Sequence, residues 1–138
     1  MGNKRGSALL LAIMMVSVLL TLAVILSKIV YNGYATSVYL LRREQAFWLA
    51  EAGLEAGKVE LNRNPGWYTD LPRYPENDTR WIKLEAIGLR QNLGEGSYKL
   101  VREKDRDRFY AAGFKGKAVV VLKIKFAQPF KILSWEEL

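Results

Sequence analysis

From Ser7 to Ser27 the chain reads SALLLAIMMVSVLLTLAVILS, with no charge, no proline and no glycine. A run of about 21 such residues is long enough to cross a hydrocarbon core of roughly 30 Å as a helix. Lys4 and Arg5 stand before it, and Lys28 is the first charge after it. Three uses fit a segment of this kind. A secretory signal has an apolar region of roughly 7–15 residues that ends at a small-x-small cleavage site. Here the run is longer, and Ala35-Thr36-Ser37 lies too far along to serve. A plain anchor is the second use, with Lys4 and Arg5 holding the N-terminus in the cytoplasm and the rest of the chain outside. The third is a segment that starts in a membrane and ends elsewhere.

The remainder limits what the protein can be. Of 138 residues, about 110 follow the leader and the apolar run, enough for one small domain. Cysteine and histidine are both absent. That removes disulfides, thiolate nucleophiles, the commonest general base and the commonest zinc ligand. The net charge of +7 favours an anionic partner, whether nucleic acid, acidic lipid or acidic protein. Its plain alternative is a scatter of solvated lysines and arginines.

Past Lys28 the helical pattern continues, with no proline from Ile29 to Leu61. Gly33, beside Asn32, is the weak point where a kink or local melting is expected. From Leu40 a heptad spacing appears in Leu40, Phe47, Leu54 and Leu61. Beside it runs a stripe of small residues, Ala46, Ala50, Gly53 and Gly57. Small residues let another backbone come close, so the paired stripes suit a helix laid against a sheet or a second helix. Arg42, Glu44, Glu51, Glu55 and Lys58 are expected on the opposite face. A continuous helix from Ser7 to Leu61 would be about 80 Å long at 1.5 Å per residue.

Two short motifs give this arrangement a likeness. Met1 to Gly6 reads MGNKRG, a short basic leader ending in glycine, and the apolar run starts at Ser7. Gln45 to Ala56 reads QAFWLAEAGLEA, and Arg5 to Leu10 reads RGSALL. Together these resemble the type IV prepilins, and in particular the PilX-type minor pilins with their "RG-(A/S)-ALL" start and "AF-x-AAEAGL" signature. The closing Ser134-Trp135-Glu136 is similar to an "SW-x-E" ending in the same group. The resemblance covers about the first 60 residues. It implies cleavage between Gly6 and Ser7 by a prepilin peptidase, methylation of the new N-terminus, and passage through an inner-membrane assembly platform. It further implies a filament, either a type IV pilus or a secretion pseudopilus, whose subunits pack through their N-terminal helices. Major pilins of this kind carry a glutamate five residues into the mature chain; here that position is Leu11. K-type tip pseudopilins lack it too, so the departure points to a minor subunit, at the tip or in initiation of assembly.

Leu61 is followed by Asn62-Arg63-Asn64-Pro65-Gly66, which ends the helix. A loop rich in proline and aromatics spans residues 62–81 and holds Trp67, Tyr68, Tyr74 and Trp81. These rings either cover one edge of a small core or offer a contact surface with Arg73 and Arg80. Trp81 to Leu93 reads as strand or short helix. Strands are then expected at Ser97–Arg102, Phe109–Phe114, Lys117–Phe126 and Phe130–Trp135. The run from Glu103 to Arg108 reads as a solvated hairpin tip, and Lys115-Gly116 as a tight turn. In the clearest strand, Ala118, Val120, Leu122, Ile124 and Phe126 share one face and Val119, Val121, Lys123 and Lys125 the other.

The predicted fold class is therefore α+β and pilin-like: a long N-terminal helix, half membrane-crossing and half amphipathic, packed on a small antiparallel sheet. Its divisions are a leader at 1–6, an apolar half-helix at 7–30, an amphipathic half-helix at 31–61 and a head at 62–138. No catalytic, cofactor or metal set is expected. Asp105-x-Asp107 lacks the glycine and distal glutamate of a calcium loop. Gly94-Glu95-Gly96 lacks the Lys-Ser/Thr of a phosphate loop. The partners expected are lipid, the peptidase, the platform and other pilin subunits. An anion or DNA surface would use Lys115, Lys117, Lys123 and Lys125 in an uptake pilus. The alternative is a single-pass anchored binding protein that is never cut or assembled.

Overall fold

A computed structural model describes residues 4–73, 75–127 and 131–138. The elements run α1 (Lys4–Arg63), a single π-helical turn (Trp81–Glu85), β1 (Leu89–Leu93), β2 (Gly96–Val101), β3 (Arg108–Lys115), β4 (Ala118–Ala127) and β5 (Lys131–Glu137). This is the expected α+β arrangement, a long N-terminal helix and a small antiparallel sheet. The chain divides into two compact units, Met1–Val38 and Tyr39–Leu138.

The described part of the first unit is a single stretch of helix. Side chains from Gly6 to Ser37 are exposed on every side, and α1 passes Gly33 without interruption. The melting expected at Gly33 is therefore not seen. Its missing Cβ would meet nothing within 4 Å.

In the second unit the strands form one sheet in the order β1-β2-β3-β4-β5, antiparallel throughout. Two hairpins close in two-residue loops that begin with glycine, Gly94 at φ +58° and Gly116 at φ +59°. Such loops need a positive φ at that place and match the twist of the flanking strands. The sheet has five strands rather than about four, because residues 89–93 form an edge strand against β2. A bulge between Lys125 and Phe126 bends β4 where β5 pairs with it. The expected turn at Gln128-Pro129, the start of the last strand at Phe130, and Tyr74 lie outside the described residues.

One face of the sheet takes α1. Ala46, Ala50, Leu54 and Leu61 pack on Tyr98, Leu100, Phe109 and Ala111, and on Ala118, Val120, Leu122, Ile124 and Phe126. These last five are the alternating face read from the sequence. The other face is covered as well. Trp81, Ile82 and Ala86 bury Val101, Tyr110, Ala112 and Val121. The second unit is thus three layers: helix, sheet and connecting loop.

Candidate subunit and membrane interfaces

The apolar half of α1 is long and apolar enough to cross a membrane, and none of its most apolar stretch is buried. Its polar groups are turned inward. Ser17 Oγ donates to Met14 O, Thr21 Oγ1 to Ser17 O and Ser27 Oγ to Ala23 O, each at 2.8 Å. Hydroxyls bonded in this way leave an outer surface of hydrocarbon. Lys28 follows, and then Tyr31 and Tyr34, both largely exposed. A lysine and tyrosines at the end of an apolar run are the side chains that settle at a membrane–water boundary. Gly6 and Ser7, at the expected cleavage site, lie in the first turns of α1.

The helix-packing residues expected from the sequence come together on the sheet. Ala46, Ala50, Gly53, Leu54 and Gly57 are all buried, and Phe47 is half-buried at the flank. A Cβ on Gly57 would stand 2.6 Å from Phe109 Cε2. One on Gly53 would stand 3.0 Å from Tyr98 Cδ2. The closest approach uses a residue the sequence did not single out. A Cβ on Gly113 would lie 1.9 Å from Ala46 O and 2.6 Å from Ala50 N. The signal was there in the run Ala111-Ala112-Gly113, small residues inside a strand that otherwise carries aromatics. Leu40, first in the heptad, is exposed. Arg42 does not face away from the sheet; it reaches toward the β3–β4 turn, its guanidinium 3.7 Å from where a Gly116 Cβ would be. Phe47 meets the Trp135 ring edge-on at 6.1 Å, and Arg43 pairs with Glu137, so β5 is tied to the helix.

The loop layer is held by charged groups inside it. Asp70 is buried, and its carboxylate accepts from Ile87 N at 2.7 Å, Gly88 N at 3.0 Å and Thr69 Oγ1 at 2.7 Å. Arg102 and Glu103 are buried too, so the charged run is solvated only beyond them. The Arg102 guanidinium donates to Pro65 O and Trp67 O and lies 5.1 Å over the Phe126 ring. Burial pushes its pKa down. Glu103 accepts from Arg73 N. Arg108 forks onto Glu76 at 2.7 and 2.8 Å, which holds the Glu76 carboxyl below the usual range. Of the loop aromatics, Trp81 belongs to the second core and Trp67 rests against the first. Tyr68 is exposed under Lys104.

The four lysines considered for an anion surface are divided. Lys115 pairs in register with Ala118, on the helix side of the sheet, while Lys123 pairs with Tyr110 and Lys125 with Arg108, on the loop side. Lys117 sits in the turn. Lys115 is bound to Glu95 at 3.0 Å, Lys123 to Glu136 at 2.6 Å, and Lys125 lies 3.8 Å from Asp107. They do not make one track for a phosphate backbone. Among the described residues no group of three or more acidic side chains is placed to hold a metal ion. No family model, no curated protein and no solved structure matches the chain.

Proposed function

We propose that the chain is a minor subunit of a type IV pilus or related pseudopilus, cut after Gly6 and carried from the membrane into a filament. The observation that supports this best is the division of labour along α1. Residues 46–61 bury a small-residue face in their own head, while the uncharged run of residues 7–27 is exposed throughout and presents hydrocarbon all round. The MGNKRG leader and the QAFWLAEAGLEA stretch point the same way. Leu11, in place of a glutamate, favours a minor position at the tip or in initiation of assembly over that of the bulk subunit.

A single-pass anchor would share the apolar helix but not the processing. The deciding measurement is the mature N-terminus by mass spectrometry, with and without prepilin peptidase. The expected chain begins at Ser7 only when the peptidase is present, and Gly6→Val blocks the cut. A chain that keeps Met1 beside an active peptidase refutes the proposal.

A further inference from the structure

Two exposed surfaces of the head are left over once its cores are assigned. The first is the outer line of α1. Leu41, Trp48 and Val59 are 56%, 60% and 50% exposed. At 100° per residue they fall on the side opposite Ala50 and Leu54, interleaved with Glu44, Glu51 and Glu55. From Leu41 to Glu55 this line carries acid and hydrocarbon, with Lys58 paired to Glu55 at its side and Arg63, paired to Glu60, at its end. The second lies on the far side of the sheet. Leu71, Leu84 and Ile87 are 72%, 73% and 81% exposed, with Arg80 and Lys83 beside them. They are displayed on a rigid mount. Asp70 clips residue 70 to the backbone at 87 and 88, and Arg73 pairs with Glu85 at 2.7 Å. The Asp70 clip brings Leu71 and Ile87 onto the same loop layer as Leu84, and large apolar side chains held outward on a rigid mount are what a contact surface needs.

The two surfaces are complementary, acid with apolar on one and base with apolar on the other. They sit on opposite faces of one head, with the sheet between them. We propose that a second copy of this chain docks its Leu41–Trp48–Val59 face onto the Leu71–Leu84–Ile87 face of the first. Glu44 and Glu51 then stand against Arg80 and Lys83. Such a contact is heterologous: each pair leaves one face of each kind open to another subunit. The charges set the register and the direction, and the apolar side chains supply the burial.

The test uses the full chain in vesicles. Isotopically heavy and light protein are mixed in detergent, reconstituted, and treated with a zero-length carbodiimide that joins carboxyl to amine. The expected product is an isopeptide between Lys83 and Glu44 or Glu51 that pairs heavy with light chain. A link within one chain is barred, because the two faces are about 20 Å apart across the layers. Arg80→Glu, which leaves Lys83 and both linking carboxylates in place, lowers the yield by about tenfold or more. Chains with Glu44→Lys and Glu51→Lys, which have no carboxylate to link, are read instead by the size of the detergent complex: alone they stay apart, and mixed with Lys83→Glu chains they associate. Absence of the mixed link in wild type overturns the proposal. So does a Lys83 link to a different protein when native membranes are treated, or charge reversal that leaves the yield unchanged. The inference does not rest on the filament reading: a chain cut after Gly6 that gives no such link keeps that reading and loses this one.

Discussion

Replacing Gly113 with alanine tests the seat of the helix directly. The added Cβ would lie 1.9 Å from Ala46 O, and ordinary contact begins at 3.4 Å, so helix and strand must part by about 1.5 Å (3.4 less 1.9). The atoms in the way are backbone, Ala46 O and Ala50 N, and no rotamer change removes them. Parting the layers loosens Ala46, Ala50, Leu54 and their partners at once. Overpacking in a core costs about 1–3 kcal/mol, and a backbone clash belongs at or above the top of that range. A loss of about 3 kcal/mol in a unit of this size lowers the melting temperature by roughly 12–24 °C, at 4–8 °C per kcal/mol. Thermal unfolding of the full chain in detergent, followed by tryptophan fluorescence, measures it. Two controls share the chemistry without a clash against backbone. Gly53→Ala meets side-chain carbons at 3.0 and 3.1 Å and gains helix propensity, so the two effects of about 1 kcal/mol nearly cancel. Gly33→Ala meets nothing and strengthens its helix by about 1 kcal/mol. A Gly113→Ala protein that melts within about 2 °C of wild type refutes the packing of α1 on β3.

Asp70→Ala leaves the Ile87 and Gly88 amides without their acceptor and should cost about 3 kcal/mol, read as faster hydrogen exchange at those two amides against unchanged exchange in β4. The Glu76 carboxyl has its pKa lowered by the Arg108 hydrogen bonds. Its contribution is therefore complete above the usual carboxylate pKa and is lost as pH falls through the lower folded value; Glu76→Gln should remove that part of the acid dependence, and an unchanged acid unfolding curve would count against it. Gly6→Val, as above, should leave the leader attached.

What could be read from the residues was periodic. The small stripe of α1 and the alternation of β4 each state which face is buried, and both lie as expected. What could not be read had no period. β1, Leu89–Leu93, is exposed along its whole length, so nothing alternates and only its pairing with β2 makes it a strand. The loop side of β4 carries Lys123 and Lys125, which reads as solvent; Val121 on the same face is nonetheless buried, because Trp81 and Ile82 arrive from a segment 40 residues earlier. Arg102 reads as the end of a strand and Glu103 as the start of a charged tip, and the burial of both depends on carbonyls and amides of residues 65–73 that no local pattern announces.

The inward hydroxyls of Ser17, Thr21 and Ser27 make the apolar half of α1 a portable object. A helix that relied on neighbours for those bonds would have to break them on leaving one surrounding and remake them in the next. Here those bonds travel with the helix. Exchanging lipid for the side chains of other helices swaps one hydrocarbon medium for another, so the free energy of the move is set by packing and chain order rather than by lost hydrogen bonds. The same segment can then dwell in either place, and the choice falls to whatever pulls on the head.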